Sequence, residues 1–375
     1  MATATTTAVR VPAPAQLVHE RLYSLDLFRG ITIAAMIVVN NQSDSAYPSL
    51  QHATWNGWTP TDLIFPFFLF IVGVSLVFST EARLERGQTR RTLIWHTLRR
   101  SLILFVIGLA LNGVAAMHVG SWRVPGVLQR IAVVYCAAML ITLFSRTPTR
   151  AAWVAALLLG YWALMRLVPV PGYGLPGRDI PLLHPDANLA AHLDRKLLLG
   201  HLWEGTRDPE GILSTLPAIA TALCGVLTGE WLRSARTASA KLAGMFAYGA
   251  AAVIAGELWG IWFPINKKLW TSSYALFTAG CALIGLAVCY WATDLRRHRG
   301  GWTKPFMIFG TNAIAAYVIS ELIGGWLGWH GYTFWHSFEW VGSPALASLV
   351  HSLVVLLLCF LPIALLYRKK IFLKV

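Results

Sequence analysis

"DLIFPFFLFIVGVSLVFST", residues 62 to 80, opens on one carboxylate, Asp62, and carries no other charge. A run this long and this apolar matches the about 20 residues an α-helix needs to cross a hydrocarbon layer of about 30 Å. Working outward from it, comparable runs lie at about 25–42, 101–117, 126–145, 151–169, 214–232, 242–263, 273–293, 306–326 and 344–366, each near the length of one crossing. Together they predict an all-α fold, a polytopic integral membrane bundle of about ten transmembrane helices. The whole chain agrees. Of its 375 residues 56% are hydrophobic and 13% charged, and its mean hydropathy is +0.57, whereas soluble domains run at roughly 45–50% apolar.

Orientation is read from Lys and Arg, which accumulate in short cytoplasmic loops. Arg83, Arg86, Arg90, Arg91, Arg99 and Arg100 crowd one connection, Arg296, Arg297 and Arg299 another, and Arg368, Lys369, Lys370 and Lys374 follow the last span. Placing these inside puts both termini in the cytoplasm. The formal net charge of +14 is then a feature of one face, attracted to anionic lipid, and gives no ground for nucleic acid as a partner. Residues 1–20 lack the apolar core of a signal peptide and read as a flexible cytoplasmic tail, with 21–375 as the transmembrane domain. Cys136, Cys224, Cys281, Cys289 and Cys359 all fall in spans, where thiols act as small apolar groups, so no disulfide is expected.

Most connections are short, so neighbouring helices should pack antiparallel. The exception is 170–213, an outer, periplasmic loop with Pro and Gly turns around a short helix predicted from Ala187 to Leu199. Loops of that length often serve as lids. An interfacial helix that only caps the bundle explains the composition equally well. The two halves of the chain show no internal repeat, which weakens a transporter reading, because many transporter folds are built from inverted repeats.

The polar residues cluster beside the opening stretch. Asn40 and Asn41 end the first span, and His52 lies in the following loop, "QHATWNGWTPTD". Histidine can take and return a proton near neutral pH, although a lone loop histidine is more often a surface residue. Asp62 has two readings. "TPTD" sets Thr59 as helix cap, Pro60 at the first helical position and Asp62 in the first turn, a capping pattern, and the same carboxylate is suited to holding an imidazole in one tautomer. Arg130, a turn inside the fourth span, must be paired or face a ligand, because charge within a span is costly. Lys267 and Lys268, in "FPINKKLWTSSY", are either snorkelling anchors beside Trp270 or ligand contacts. Asp26 and Arg29, three apart, form an ordinary helical pair. Thr311 and Asn312 are buried polar groups that need partners. The histidines His52, His118, His184, His192, His201, His330 and His336 show no zinc-like spacing, so no metal is expected.

The blocks "SLDLFRGITIAAMIVVN", "HATWNGWTPTDLIFPFFLFIVG", "RVPGVLQRIAVVY", "DPEGILSTLPAIATALCG", "FPINKKLWTSSY" and "PFMIFGTNAIAAYVISE" resemble, in order, the transmembrane domain of the heparan-α-glucosaminide N-acetyltransferase family. The resemblance covers nearly the whole chain, from about Arg21 to Glu321 and into the hydrophobic helix beyond. It implies an enzyme that moves an acetyl group from cytosolic acetyl-CoA to the amine of a glucosamine on the far side of the membrane. The active-site histidine of the family maps onto His52, and its asparagine onto Asn40, with Asn41 open because the loop before His52 is one residue longer. The lumenal domain of the lysosomal member has no counterpart here, so the expected acceptor is a free amino sugar or a cell-envelope glycan fragment.

The resulting expectation is an acetyltransferase of the bacterial inner membrane. His52 acts as base or acetyl-carrying nucleophile, Asn40 donates to the thioester oxygen, and Asp62 orients the ring. Arg130, Asn312, Arg29 and Lys268 are candidate contacts for acetyl-CoA. The expected partners are acetyl-CoA, the amino sugar and the bilayer; a homodimer is left open. The alternative is a sugar transporter of the same architecture without acyl-transfer chemistry.

Overall fold

A computed structural model describes residues 22–116, 122–329 and 338–373. The expected tail 1–20 and the histidines His118, His330 and His336 lie outside the described residues. The described chain is helical throughout: α1 Tyr23–Asn40, α2 Ile64–Glu85, α3 Arg90–Ala116, α4 Val127–Phe144, α5 Thr147–Leu167, α6 Leu189–Leu198, α7 Thr215–Arg233, α8 Ala238–Gly260, α9 Ser272–Tyr290, α10 Thr303–Thr311, α11 Ala313–Trp329 and α12 Pro344–Arg368. Among the described residues nine helices are long and apolar enough to cross a membrane, and α10 with α11, bent by 89°, passes the same test of length and composition only when the two are taken together.

Two spans differ from the sequence reading. The third starts at Arg90 rather than near 101, because arginine is a good helix former and the Thr89 hydroxyl accepts from the backbone of Thr92 at 3.3 Å. The helix thus continues past its apolar part into the basic surface. The ninth is broken at Asn312, whose backbone (φ −126°, ψ 41°) leaves the helix. Irregular backbone at membrane depth is tolerated where protein or a cavity covers it, and Gly310, Thr311, Ala313 and Ile314 line a cavity described below.

α7 is the most enclosed span, 67% buried, against 17% for α5 and α8. Between helices in lipid there is little hydrophobic drive, so close packing of small residues does the work. α2 and α7 touch backbone to backbone: a Cβ on Gly73 would strike the carbonyl of Ala222, and one on Gly225 that of Phe70. α1 and α10 repeat the device with Gly30 and Gly310. Antiparallel alternation then collects the ends of α1, α3, α5, α8 and α11 with the starts of α2, α4, α7, α9 and α12 at one face, which carries His52. The arginine-rich connections lie at the other.

Candidate active site

The loop between α1 and α2 is folded on itself before α2 begins. Thr59 caps a turn of 3-10 helix, Pro60–Leu63, and forms with Asp62 a reciprocal capping box. Asp62 Oδ2 accepts from the backbone of Thr59 and of Ala53, both at 3.0 Å, which draws the residue after His52 onto the same carboxylate. Asp62 Oδ1 is then 2.7 Å from Nδ1 of His52. The Asp62 side chain is 1% exposed and that of His52 46%. A carboxylate at this distance fixes the proton on Nδ1, so the lone pair of Nε2 is presented.

A second loop, between α8 and α9, closes the other side. Gly57 (φ 95°) adopts a backbone that favours glycine, and its N–H donates to the carbonyl of Ile265 at 2.8 Å. Asn266, fully buried, donates to Asn56 at 3.1 Å and accepts from the backbone of Leu269 at 2.9 Å. Trp270 is held at φ 48°, a conformation that costs a non-glycine residue of order 1 kcal/mol and persists only under firm packing. The packing is present: its ring sits edge-on to Phe65 and Tyr274 at 5.1 and 5.4 Å, and its indole N–H reaches the Thr221 hydroxyl at 3.2 Å. Tyr274 in turn donates to the Asp62 carbonyl at 2.5 Å.

This turn aims Lys267 at the histidine. Its Nζ stands 2.8 Å from Nδ1 and 3.1 Å from Nε2 of His52, and 3.5 Å from Asp62 Oδ1. With Nδ1–H committed to Asp62, only Nε2 can accept from the ammonium. Burial holds the Lys267 pKa below its ordinary value, against the opposing pull of Asp62 and Glu210. The sequence points to Lys268 as the ligand contact, but adjacent lysines carry no signal of which one a turn directs inward, and it is Lys267 that reaches His52. Lys268 points to the loop 170–213, pairing with Glu204 at 3.0 Å.

That loop is clamped over the same face. Arg123 meets Asp208 through Nε and Nη2 at 2.7 and 2.5 Å, also pairs with Glu210, and stacks over Trp203 at 5.1 Å. Burial lowers the Arg123 pKa, but the two carboxylates outweigh it and the net shift is upward. The loop helix α6, predicted from Ala187, begins at Leu189 because Asn188 caps it, accepting from the backbone of Ala191 at 2.9 Å. Arg130 lies beneath, 2% exposed, bonded to the Gly211 carbonyl at 3.0 Å and to Ser214, with its guanidinium 5.2 Å above the Trp270 ring. Its Nε and Nη1 are buried without partners among the described residues.

Asn40 meets Glu321, to which it is hydrogen-bonded, rather than the His52–Asp62 pair. Asn41 caps its own helix by donating to the Ile37 carbonyl at 2.8 Å. Arg29 joins three helices, through Asp26 at 2.8 Å, Ser75 at 2.7 Å and the Gly310 carbonyl at 3.3 Å. Asn312 grips the segment after α12, donating to the Ile371 carbonyl at 3.1 Å and accepting from the backbone of Leu373 at 2.9 Å.

A cavity of about 580 Å³ runs between α2, α3, α4 and α10. Its basic end is lined by Arg83, His96, Arg99 and Arg100, its middle by Arg29 beside Ser75, and its far end by Phe68 and Leu128. Phe68 and Arg83 are fifteen positions apart on one helix, about 22 Å at 1.5 Å per residue. Asp62 lies six positions before Phe68, about 9 Å further on by the same rise. Arg29 belongs to the cavity wall; Arg130, Lys268 and Asn312 are not part of it.

The family model described as heparan-alpha-glucosaminide N-acetyltransferase, catalytic, matches residues 21–258. The chain is 33% identical over 414 residues to heparan-alpha-glucosaminide N-acetyltransferase of Homo sapiens and 30% identical over 411 residues to that of Mus musculus, covering 95% of this chain and 60% of each relative. The chain thus spans about 60% of the length of these relatives. A matched region that runs through the histidine loop, six complete spans and nearly all of α8, together with identity at this level along nearly all of the sequence, means that the chain belongs to the heparan-alpha-glucosaminide N-acetyltransferase family.

Proposed function

We propose that the protein is an acetyl-CoA-dependent N-acetyltransferase that acetylates the amine of a glucosamine-like sugar at the face carrying His52. The observation that carries this reading is the alignment of two features: a histidine held by a buried carboxylate at one face, and a cavity that opens among arginines at the other and runs most of the way toward it. The basic end suits the phosphates of the donor, for which arginine is the preferred partner, and the narrow remainder suits its pantetheine arm. Arg29, Arg99 and Arg100 contact the nucleotide in this reading. Asn312 and Arg130 support the wall and the loop 170–213, and Lys268 acts through its pair with Glu204.

In the reaction, the acceptor amine takes the place of the Lys267 ammonium at Nε2 of His52, which removes a proton from it as it attacks the thioester carbonyl, general-base catalysis of a kind that typically contributes about 10² to 10⁴-fold. The C–N bond forms, the C–S bond breaks, and the proton passes to the leaving sulfur. Asp62 keeps the tautomer, and Asn40, which in this reading turns from Glu321, donates to the developing oxyanion. The positive excess at the arginine face supports a cytoplasmic position for that face and for both termini, with the His52 face toward the periplasm of a bacterial inner membrane.

Sealed vesicles of known orientation test this directly, with labelled acetyl-CoA and a panel of amino sugars. Acetyl-CoA is expected to act only from the arginine face and the sugar only from the His52 face, with CoA released in step with the amide. Equal rates with both substrates supplied on the His52 side would end the transmembrane part of the mechanism. Sugar uptake with no CoA release would make the protein a carrier.

A further inference from the structure

Making an amide from an amino sugar removes two protons from nitrogen, because the amine is largely an ammonium at neutral pH. The mechanism above places one of them on Nε2 and then on sulfur. The other has to leave first, since an ammonium has no lone pair with which to attack. Asp62 is not available for it: Oδ1 is committed to the imidazole and Oδ2 to the backbone of Ala53 and Thr59.

Resting on the acetyltransferase reading, we propose that Glu210 is a further catalytic residue, the carboxylate that docks the acceptor's ammonium and takes its first proton. Three observations point to it. Asp208 already forms a complete two-point pair with Arg123 through Nε and Nη2, so Glu210, which reaches the same guanidinium with Oε2 alone, is not needed to complete that pair. Its Oε1 has no hydrogen-bond partner among the described residues. Its position is next to the histidine-facing turn: Asp208 and Pro209 share the wall of a small cavity with Lys268 and Leu269, and Gly211 is bonded to Arg130, which lies on Trp270. The charge of Glu210 also acts on the Lys267 ammonium. The Glu210 side chain is 12% exposed, enough to return a proton to water.

The step balances. The ammonium gives one proton to Glu210, the free amine attacks, the C–N bond forms and the C–S bond breaks, the second proton travels through Nε2 to sulfur, and Glu210 releases the first to solvent. The products are an amide, a thiol and one proton. The charged and titratable groups around Glu210 are Arg123, Asp208, Arg130, Lys267, Tyr274 and Tyr317.

The test is Glu210→Gln in the full chain, which keeps an oxygen for Arg123. With glucosamine at neutral pH, turnover should fall about 10²-fold, the lower end of general-base contributions, and the deficit should shrink as the pH is raised and the amine deprotonates in solution. Hydroxylamine, largely unprotonated at neutral pH, should be acetylated by variant and wild type alike, with an unchanged KM for acetyl-CoA. An equal deficit with both nucleophiles would make Glu210 a structural partner of Arg123, and no deficit with glucosamine would remove it from the chemistry; either result overturns the assignment while leaving the enzyme an acetyltransferase. Absence of CoA release by the wild type with any amine overturns the acetyltransferase reading itself, and Glu210 with it.

Discussion

Asp62 divides its two oxygens between two tasks, holding His52 with Oδ1 at 2.7 Å and its own helix start with Oδ2, which accepts from Thr59 at 3.0 Å. The two roles that compete for this residue in the sequence are therefore separable by substitution. Asp62→Asn keeps an acceptor for the cap and loses the charge that fixes the imidazole, so it should fold normally and lose most turnover. Asp62→Ala should lose turnover and, in addition, about 1 kcal/mol or more of stability with the cap. His52→Ala should match Asp62→Ala in turnover at an unaltered melting temperature, because His52 is half exposed. Near-normal turnover in detergent by His52→Ala would remove it from the mechanism.

The neighbouring lysines should behave differently. Lys267→Met removes the cation 3.1 Å from Nε2 and should slow transfer strongly. Lys268→Met breaks a partly exposed pair with Glu204, worth about 0–1 kcal/mol, and should leave the chemical step untouched. Single-turnover rates for the two variants, measured side by side, check this; equal losses would show that the turn as a whole matters and not the ammonium it presents.

Asp194, 1% exposed on α6, supplies a pH signature for the loop 170–213. Burial pushes its pKa from 3.8 up to about 6, against the Ile212 N–H and the charges of Arg130 and Arg195. A carboxyl whose folded pKa is raised binds its proton more tightly when folded, so its contribution is full below about 3.8 and is lost as the pH climbs to about 6. The ceiling is roughly 3 kcal/mol, about two pH units at 1.36 kcal/mol each. Asp194→Asn should therefore melt above the wild type at neutral pH and converge with it near pH 4. Parallel melting curves across that window would locate the titration elsewhere.

Arg100 is expected to touch the donor. Its Nε is buried without a partner among the described residues, its guanidinium lies 4.8 Å above the Tyr135 ring, and both residues line the cavity. Arg100→Ala should raise the KM for acetyl-CoA by about tenfold or more, as expected for a hydrogen bond to a charged group of about 1.5–3 kcal/mol, and leave the KM for the sugar alone. Titration of CoA binding by calorimetry measures the same loss without turnover.

The spans were legible because each one is an apolar run of membrane length, and that signal is local. The break at Asn312 was not, because a nine-residue half-helix and its continuation read as one hydrophobic stretch, and only the cavity beside it explains the bend. At the site, "TPTD" announced a capping box, and the pairing of Asp62 with His52 followed from ten residues of loop. Lys267 and Glu210 stayed hidden. Their placement depends on a left-handed Trp270 and on an arginine clamp formed between residues 85 and 87 positions apart, relations that no local pattern encodes.

The contact of Gly73 with Ala222 has a genetic consequence. α2 is one continuous rod that carries Asp62 just before its first turn and Arg83 in its last, and Gly73 near its middle presses on α7 with no room for a methyl group. A substitution there would tilt both ends of the path at once. In a mutant screen it would score as a simultaneous defect in donor affinity and in chemistry, and would be filed with the active-site lesions although it touches neither substrate.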